Sequence, residues 1–179
     1  MAVLTRIETP VGTIIASSDG QSLTGLWFEG QKYECSFVED PVLDDSLPLW
    51  KNVKHALEEY FQGVGDVAPA VPIAFVGGTA FQKAVWDVLT EIPYQTVWTY
   101  KDVAERIGEK LGRKTSSRAV GTAIGRNPIS LFVPCHRVVA TTGALTGYAG
   151  GVERKRALLT LEGHSVVKDR VMKGERHEA

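Results

Sequence analysis

Thr99-Tyr100-Lys101-Asp102-Val103-Ala104-Glu105-Arg106-Ile107-Gly108 and Ser116-Ser117-Arg118-Ala119-Val120-Gly121-Thr122-Ala123-Ile124-Gly125 decide how the second half of this chain folds. Thr99 with Asp102 three residues later has the form of a helix-opening cap, and Val103, Ala104 and Ile107 then fall on one face. Gly108 is the predicted stop, followed by a loop over Glu109 to Thr115. Ser116-Ser117 caps a second helix running to Gly125. Short helix, turn, short helix is the outline of a helix-turn-helix. On the second helix Arg118, Gly121, Thr122 and Gly125 recur at i, i+3, i+4 and i+7, while Val120 and Ile124 face the core. A face of one Arg and small residues suits close approach to another surface. It suits tight helix–helix packing with a solvated Arg equally well, and this feature alone leaves both readings open. Two glycines on one helix face cost stability, so a reason for them is expected.

Working outward, Ile129-Ser130-Leu131-Phe132-Val133 reads as a buried apolar run. Pro134 ends it, which places Cys135 at the mouth of a core element, with His136 next. A free thiol has a pKa near ~8.5, so a few per cent is thiolate at neutral pH, and a base that takes the proton raises that fraction. Adjacent residues of an extended chain point opposite ways, so the pair needs a bridging water or a sharp turn. Glu162, at the end of the last helix, is the candidate to orient His136 and fix its tautomer. Set against this, a lone Cys is most often a small buried hydrophobe.

Upstream, Thr79 with Gln82 makes another capping pattern, and Phe81, Val85, Trp86 and Leu89 share a face of a helix that Ile92-Pro93 ends. Residues 62 to 78 read as a linker with one extended piece. Before it, Trp50, Val53, Leu57, Tyr60 and Phe61 recur at helical spacing, with Gly63 as the stop. Val3 to Ile7, Thr13 to Ala16 and Leu23 to Phe28 are apolar segments punctuated by Thr9-Pro10-Val11-Gly12 and Asp19-Gly20, the pattern of an antiparallel meander.

Charge divides the chain. Residues 1–76 hold 4 Lys and Arg against 11 Asp and Glu, a balance of -7, whereas 77–165 hold 12 against 7, a balance of +5. A basic half points to an anion such as nucleic acid, although a solvated charged face is the commoner origin of such a bias. The expected organisation is α/β (α+β). An acidic, strand-rich domain over 1–76 precedes a helical helix-turn-helix domain over 77–165, and 166–179 form a charged, solvated tail. At 44 % hydrophobic and 23 % charged, the 179 residues make ordinary globular material. Two cysteines give no disulfide framework, which fits a reducing compartment. No signal core or membrane-length apolar run is seen, so a cytoplasmic protein is expected. Cys35 lacks neighbouring ligands for zinc, and Gly147-Tyr148-Ala149-Gly150-Gly151 lacks the strand–turn–helix context of a dinucleotide site, so neither metal nor cofactor is implied.

Pro134-Cys135-His136-Arg137-Val138, with Arg118-Ala119-Val120-Gly121 and Asn127-Pro128 before it and Leu145 to Gly151 after it, resembles the O6-alkylguanine-DNA alkyltransferases, also called methylated-DNA–protein-cysteine methyltransferases. The resemblance runs from about Gly78 to Gly163. It implies direct DNA repair, in which an alkyl group passes once and irreversibly from O6 of guanine, or from O4 of thymine, to Cys135. It implies His136 as a base acting through water, Glu162 as its partner, and Asn127 as the side chain tying the helix-turn-helix to the active-site segment. By the same resemblance Arg118 fills the space of the flipped base and Tyr100 helps rotate the nucleotide out. Tyr148 covers the extruded guanine, and Ala149, where relatives often carry Ser, offers a backbone N–H to its oxygen. Val138 completes the substrate set. Gly121, Thr122, Arg126 and Lys114 join Arg118 as the DNA-binding set, and double-stranded DNA with alkylated guanine is the partner of a monomer. Extrusion is required physically, because the target atom lies inside the base stack. Ala80, Gln95 and Ile124 depart from the residues relatives often carry, and the loop Glu109 to Thr115 looks lengthened. A non-catalytic lesion sensor is disfavoured by Cys135 itself. A Cys-His hydrolase would need an oxyanion site, for which the sequence has no signal.

Overall fold

The computed structural model describes residues 2–67 and 70–172. They divide into two compact units. One holds the chain up to Gly78 together with Pro128–Phe132, and the other holds Thr79–Asn127 and the chain from Val133 on.

In the first unit, β1 (Ala2–Thr9), β2 (Gly12–Ser18) and β3 (Leu23–Phe28) form the antiparallel meander that the alternating apolar segments predict. A fourth strand, β4 (Pro41–Leu43), lies parallel to β1 and gives the order β3-β2-β1-β4. The sequence reading missed β4 because its three residues are all exposed and show no alternation. Every residue of β3 is buried, and Trp27 folds back over Gly25. A Cβ at Gly25 would stand 2.1 Å from a Trp27 ring carbon, so no larger residue fits. Helix α1 (Leu49–Phe61) buries Trp50, Val53, Ala56, Leu57 and Tyr60 and packs on β1, and Gly63, at φ +77°, follows its end.

The apolar run 129–133 is buried as expected but is not a strand. Leu26 N–H donates to the Pro128 carbonyl at 2.8 Å, and Ser130 N–H to the Leu26 carbonyl at 2.9 Å. These bonds give 128–132 to the first unit, so the contiguous second domain expected over 77–165 is interrupted there.

In the second unit, α2 (Ala80–Leu89) opens with the Thr79–Gln82 capping box, both of its bonds formed. Helix α3 (Tyr100–Leu111) opens with the equivalent Thr99–Asp102 pair, and α4 (Ser117–Gly125) with Ser116 accepting from Ala119 N–H. The three helices pack on one another, and Trp86 Nε1–H donates to the Ala123 carbonyl. Gly108 does not stop α3, contrary to its reading as a breaker. The helix continues one turn to Leu111 and ends at Gly112, whose φ of +67° suits a residue without Cβ. Gly108 is kept for space, since a Cβ there would meet the Arg113 carbonyl at 3.1 Å. The turn between α3 and α4 is therefore 112–116, shorter than the expected loop. Strands β5 (Trp98–Thr99) and β6 (Val138–Val139) pair in parallel, and α5 (Val152–Leu161) follows.

The tail, expected to be solvated from 166, is ordered up to residue 172. Val167 and Arg170 exchange backbone bonds around Lys168 and Asp169, both at positive φ, which makes a tight hairpin. Val171 is fully buried with Val97, Val139, Leu145 and Leu159, so an apolar anchor and not charge decides this segment. Residues 173–179 of the predicted tail lie outside the described residues.

Candidate active site

Pro134 and the backbone around it create the geometry at Cys135. A single 3₁₀ turn spans Cys135–Arg137, closed by Arg137 N–H on the Pro134 carbonyl at 3.0 Å and Val138 N–H on the Cys135 carbonyl, and Cys135 N–H bonds the Val133 carbonyl at 2.8 Å just before it. Successive side chains of such a turn diverge by about 120°, so Cys135 and His136 are not opposed as on an extended chain. Cys135 is 6 % exposed, while His136 and Arg137 are buried at 0 % and 1 %.

Behind the turn stands Glu162, at the C-terminal cap of α5. His136 Nε2–H donates to Glu162 Oε2 at 2.6 Å. Arg137 reaches the same carboxylate twice, Nε to Oε1 at 2.8 Å and Nη2 to Oε2 at 3.2 Å, and its Nη1 donates to the Ile92 carbonyl at 3.1 Å. The guanidinium carbon lies 5.6 Å from the centroid of the Tyr94 ring. Burial pushes Glu162 up, but the His136 ring and the Arg137 guanidinium outweigh it and hold the carboxyl well below the usual range. Burial wins the other way at His136, holding its pKa below the ordinary value despite Glu162. The ring is therefore neutral, Arg137 carries the balancing charge, and His136 Nδ1 is a buried acceptor with no hydrogen-bond partner among the described residues.

On the thiol side, Asn127 Nδ2–H donates to the Val133 carbonyl at 2.8 Å, and its side chain also hydrogen-bonds Cys135. Lys155 is 1 % exposed and donates from Nζ to the carbonyls of Val138 at 2.5 Å and Thr146 at 3.0 Å. Burial pulls Lys155 down to about 8, against the opposing influence of the thiol. Burial also raises the Cys135 pKa, and the Asn127 bond and the Lys155 charge only partly offset this. The net effect is a thiol pKa above its ordinary value in the free protein.

Tyr100 Oη–H donates to the Thr146 carbonyl at 3.0 Å, the oxygen that also holds Lys155. Tyr148 is buried and Ala149 half-buried in the loop that follows. Arg118, Thr122, Arg126 and Lys114 are exposed. A Cβ added at Gly121 would touch the Tyr100 ring only at 3.7 Å, and one at Gly125 would meet nothing. Tight helix–helix packing therefore does not explain the small face of α4.

Residues 80–164 match the 6-O-methylguanine DNA methyltransferase DNA-binding domain family, and residues 3–75 match its ribonuclease-like domain family. The methylated-DNA–protein-cysteine methyltransferase of Haemophilus influenzae is 41 % identical over 160 residues, 88 % of this chain and 84 % of that one. That of Methanosarcina acetivorans is 40 % identical over 159 residues, 87 % of this chain and 95 % of that one. The solved structure of Mycobacterium tuberculosis OGT in complex with DNA superposes with a TM-score of 0.78 at 36 % identity, covering 89 % of this chain and 92 % of that one.

The chain belongs to the methylated-DNA–protein-cysteine methyltransferase family.

For a methylated-DNA–protein-cysteine methyltransferase, two buried cations are the residues that sequence reasoning missed. Arg137 stands within the quoted active-site run, and an Arg flanked by apolar residues that long could have drawn notice. Lys155 shares a face of α5 with Val152, Leu158, Leu159 and Glu162 at helical spacing, a usable signal that the neighbouring Arg154 and Arg156 obscure. Gln95 stands at φ +67°, a conformation glycine adopts without cost, and its N–H reaches Glu162 Oε1 at 3.4 Å. Among the described residues no His, Cys, Asp and Glu cluster could hold a metal, and no helix is long and apolar enough to cross a membrane.

Proposed function

We propose that Cys135 accepts a methyl or larger alkyl group from O6 of guanine in duplex DNA, with O4 of thymine as a second substrate, once per protein molecule. The observation that carries this reading is the surroundings of the thiol. A cation and an amide lie beside it, and a neutral His136, fixed by Glu162, presents its free Nδ1 as the acceptor. The thiol proton passes through water to His136 Nδ1. The sulfur attacks the alkyl carbon, the carbon–O6 bond breaks, and its electron pair leaves with guanine, which takes up one proton. Lys155 favours the thiolate as it forms. The thioether has no route back, so the protein is spent.

The lesion reaches this site by leaving the stack, at a cost of a few kcal/mol that a damaged pair reduces. In this reading Arg118, exposed at the first turn of α4, holds the gap, and Gly121 and Thr122 beside it leave a face open enough for a minor groove about 6 Å wide. Arg126 and Lys114 contact phosphates. Tyr148 covers the base, Tyr100 guides its rotation, and Val138 and the Ala149 N–H complete its seat. One chain carries every residue of the constellation, so a monomer suffices, acting on DNA in the cytoplasm or nucleoid.

Incubation with a duplex containing O6-methylguanine, followed by peptide mass mapping, tests the reading. One methyl per molecule on Cys135 is expected, with none in Cys135→Ala and normal transfer in Cys35→Ala. Label on Cys35, or catalytic turnover beyond one equivalent, would overturn it.

A further inference from the structure

We propose that the C-terminal hairpin, residues 165–172, is a positioning element of the alkyl-acceptor site, because it sets the register of the strip Gly143–Thr146 whose last carbonyl pins both Tyr100 and Lys155. The inference rests on the assignment of Cys135 as acceptor. The hairpin itself, 165–172, lies beyond the two matched domains, which end at 75 and 164.

The hairpin grips the strip by backbone. Leu145 N–H donates to the Asp169 carbonyl at 2.8 Å and Val171 N–H to the Gly143 carbonyl at 2.9 Å, so Ala144 faces Arg170 as an antiparallel pair. Its own base is closed by Met172 N–H on the Ser165 carbonyl. Such a register is discrete: a slip by one residue would turn every side chain of the strip over. Val171 fixes the register by burying its side chain among Val97, Val139, Leu145 and Leu159, with Val152 and Val166 packed at the margin.

The same cluster reaches each support of the Lys155 ammonium. Val97 precedes β5 and Val139 belongs to β6, the strand whose Val138 carbonyl is one acceptor of Lys155. Leu145 precedes Thr146, whose carbonyl is the other. Leu159 lies on α5, and Arg156, beside Lys155 on that helix, is paired with Asp169 of the hairpin. Beyond Thr146, Gly147 passes close to the Tyr100 hydroxyl, which stands 3.5 Å from where a Cβ would be. The two residues pinned by Thr146 are also those that sense charge at Cys135: a thiolate there raises the pKa of both Tyr100 and Lys155. Releasing the hairpin frees the strip, and with it the cation that favours the thiolate.

The test is single-turnover transfer from free O6-benzylguanine to the full chain, to Val171→Asp, and to a chain ending at His164. Val53→Ala, in the core of the first unit, serves as a control of lowered stability. Expected is a limiting rate about ten-fold lower in both hairpin variants, with the end point still one alkyl per folded molecule, and a thiol pKa raised further as read from iodoacetamide reactivity against pH. Val53→Ala should keep the parental limiting rate and thiol pKa. Hairpin variants that lose only melting temperature or alkylated end point, at the parental rate constant, would overturn the inference alone. A parent that leaves Cys135 unalkylated overturns the functional reading and this inference with it.

Discussion

Arg137 and Glu162 form a two-point ion pair inside the protein, with the two side chains only 2 % and 0 % exposed. The pair lets His136 share the carboxylate while remaining neutral. A neutral imidazole anchored through Nε2–H keeps Nδ1 free as a proton acceptor, the state a base needs before the thiol ionises.

Glu162→Gln keeps the shape and removes the charge. It leaves Arg137 buried without its counter-ion, and breaking such a pair costs about 3–5 kcal/mol, readable as a lower denaturant midpoint. The carboxyl is held below its ordinary 4.5, so its contribution is present above about pH 4.5 and is lost as pH falls further. His136, held below 6.5, adds a loss that begins as pH falls through 6.5. Parent stability therefore declines in acid, and the variant should lack the part below pH 4.5. Transfer by the variant should be slowed more at neutral than at alkaline pH, whereas an equal slowing at every pH would assign Glu162 to packing.

Lys155→Met separates stability from reactivity. The folded pKa of about 8 lies below the ordinary 10.5, so parent stability rises with pH between those values. The buried cation costs roughly 3 kcal/mol at neutral pH on that scale. Methionine removes this cost but takes the Lys155 donor from the Val138 carbonyl, at about 1–3 kcal/mol, while Thr146 keeps its bond from Tyr100. The melting temperature should consequently change little. The thiol loses its cation, so the Cys135 pKa should rise further and transfer at neutral pH should fall about ten-fold or more. An unchanged pH dependence of iodoacetamide labelling at Cys135 would exclude the electrostatic role.

Arg118→Ala tests extrusion apart from chemistry. The side chain is exposed on the first turn of α4. Repair of alkylated duplex at saturating DNA should slow strongly, while reaction with the free alkylated base should not change. Equal rates on saturated duplex would reduce Arg118 to a phosphate contact, and a loss on the free base too would make it a support of the site.

Gly112→Ala places a Cβ at φ +67° in open space, so conformation and not collision sets its cost. About 1–2 kcal/mol of stability should be lost, measured by denaturation, with alkyl transfer by the folded protein unaffected.

Much of the molecule was legible because its signals are local. The Thr79, Thr99 and Ser116 caps satisfy N–H groups three residues away, so residue type at fixed spacing suffices to place a helix start. Cys135, His136, Asn127 and Glu162 could be named from their motif. The stop of α3 could not, because Gly108 and Gly112 are the same residue type and differ only in what lies beside them. The tail was misread because its charged residues outnumber the one valine that anchors it.

Periodicity and contacts within a few residues were enough for the meander and the three capped helices, whereas the resemblance to the family supplied Asn127 beside Cys135 and His136. Only the tertiary structure brings Pro128–Phe132 against Leu26, buries Arg137 and Lys155, and raises the Cys135 pKa by burial. These depend on partners 25 residues apart for Arg137 and Glu162 and 17 for Lys155 and Val138. Burial of a charge is a property of the surroundings it finds there, and no pattern along the chain records it.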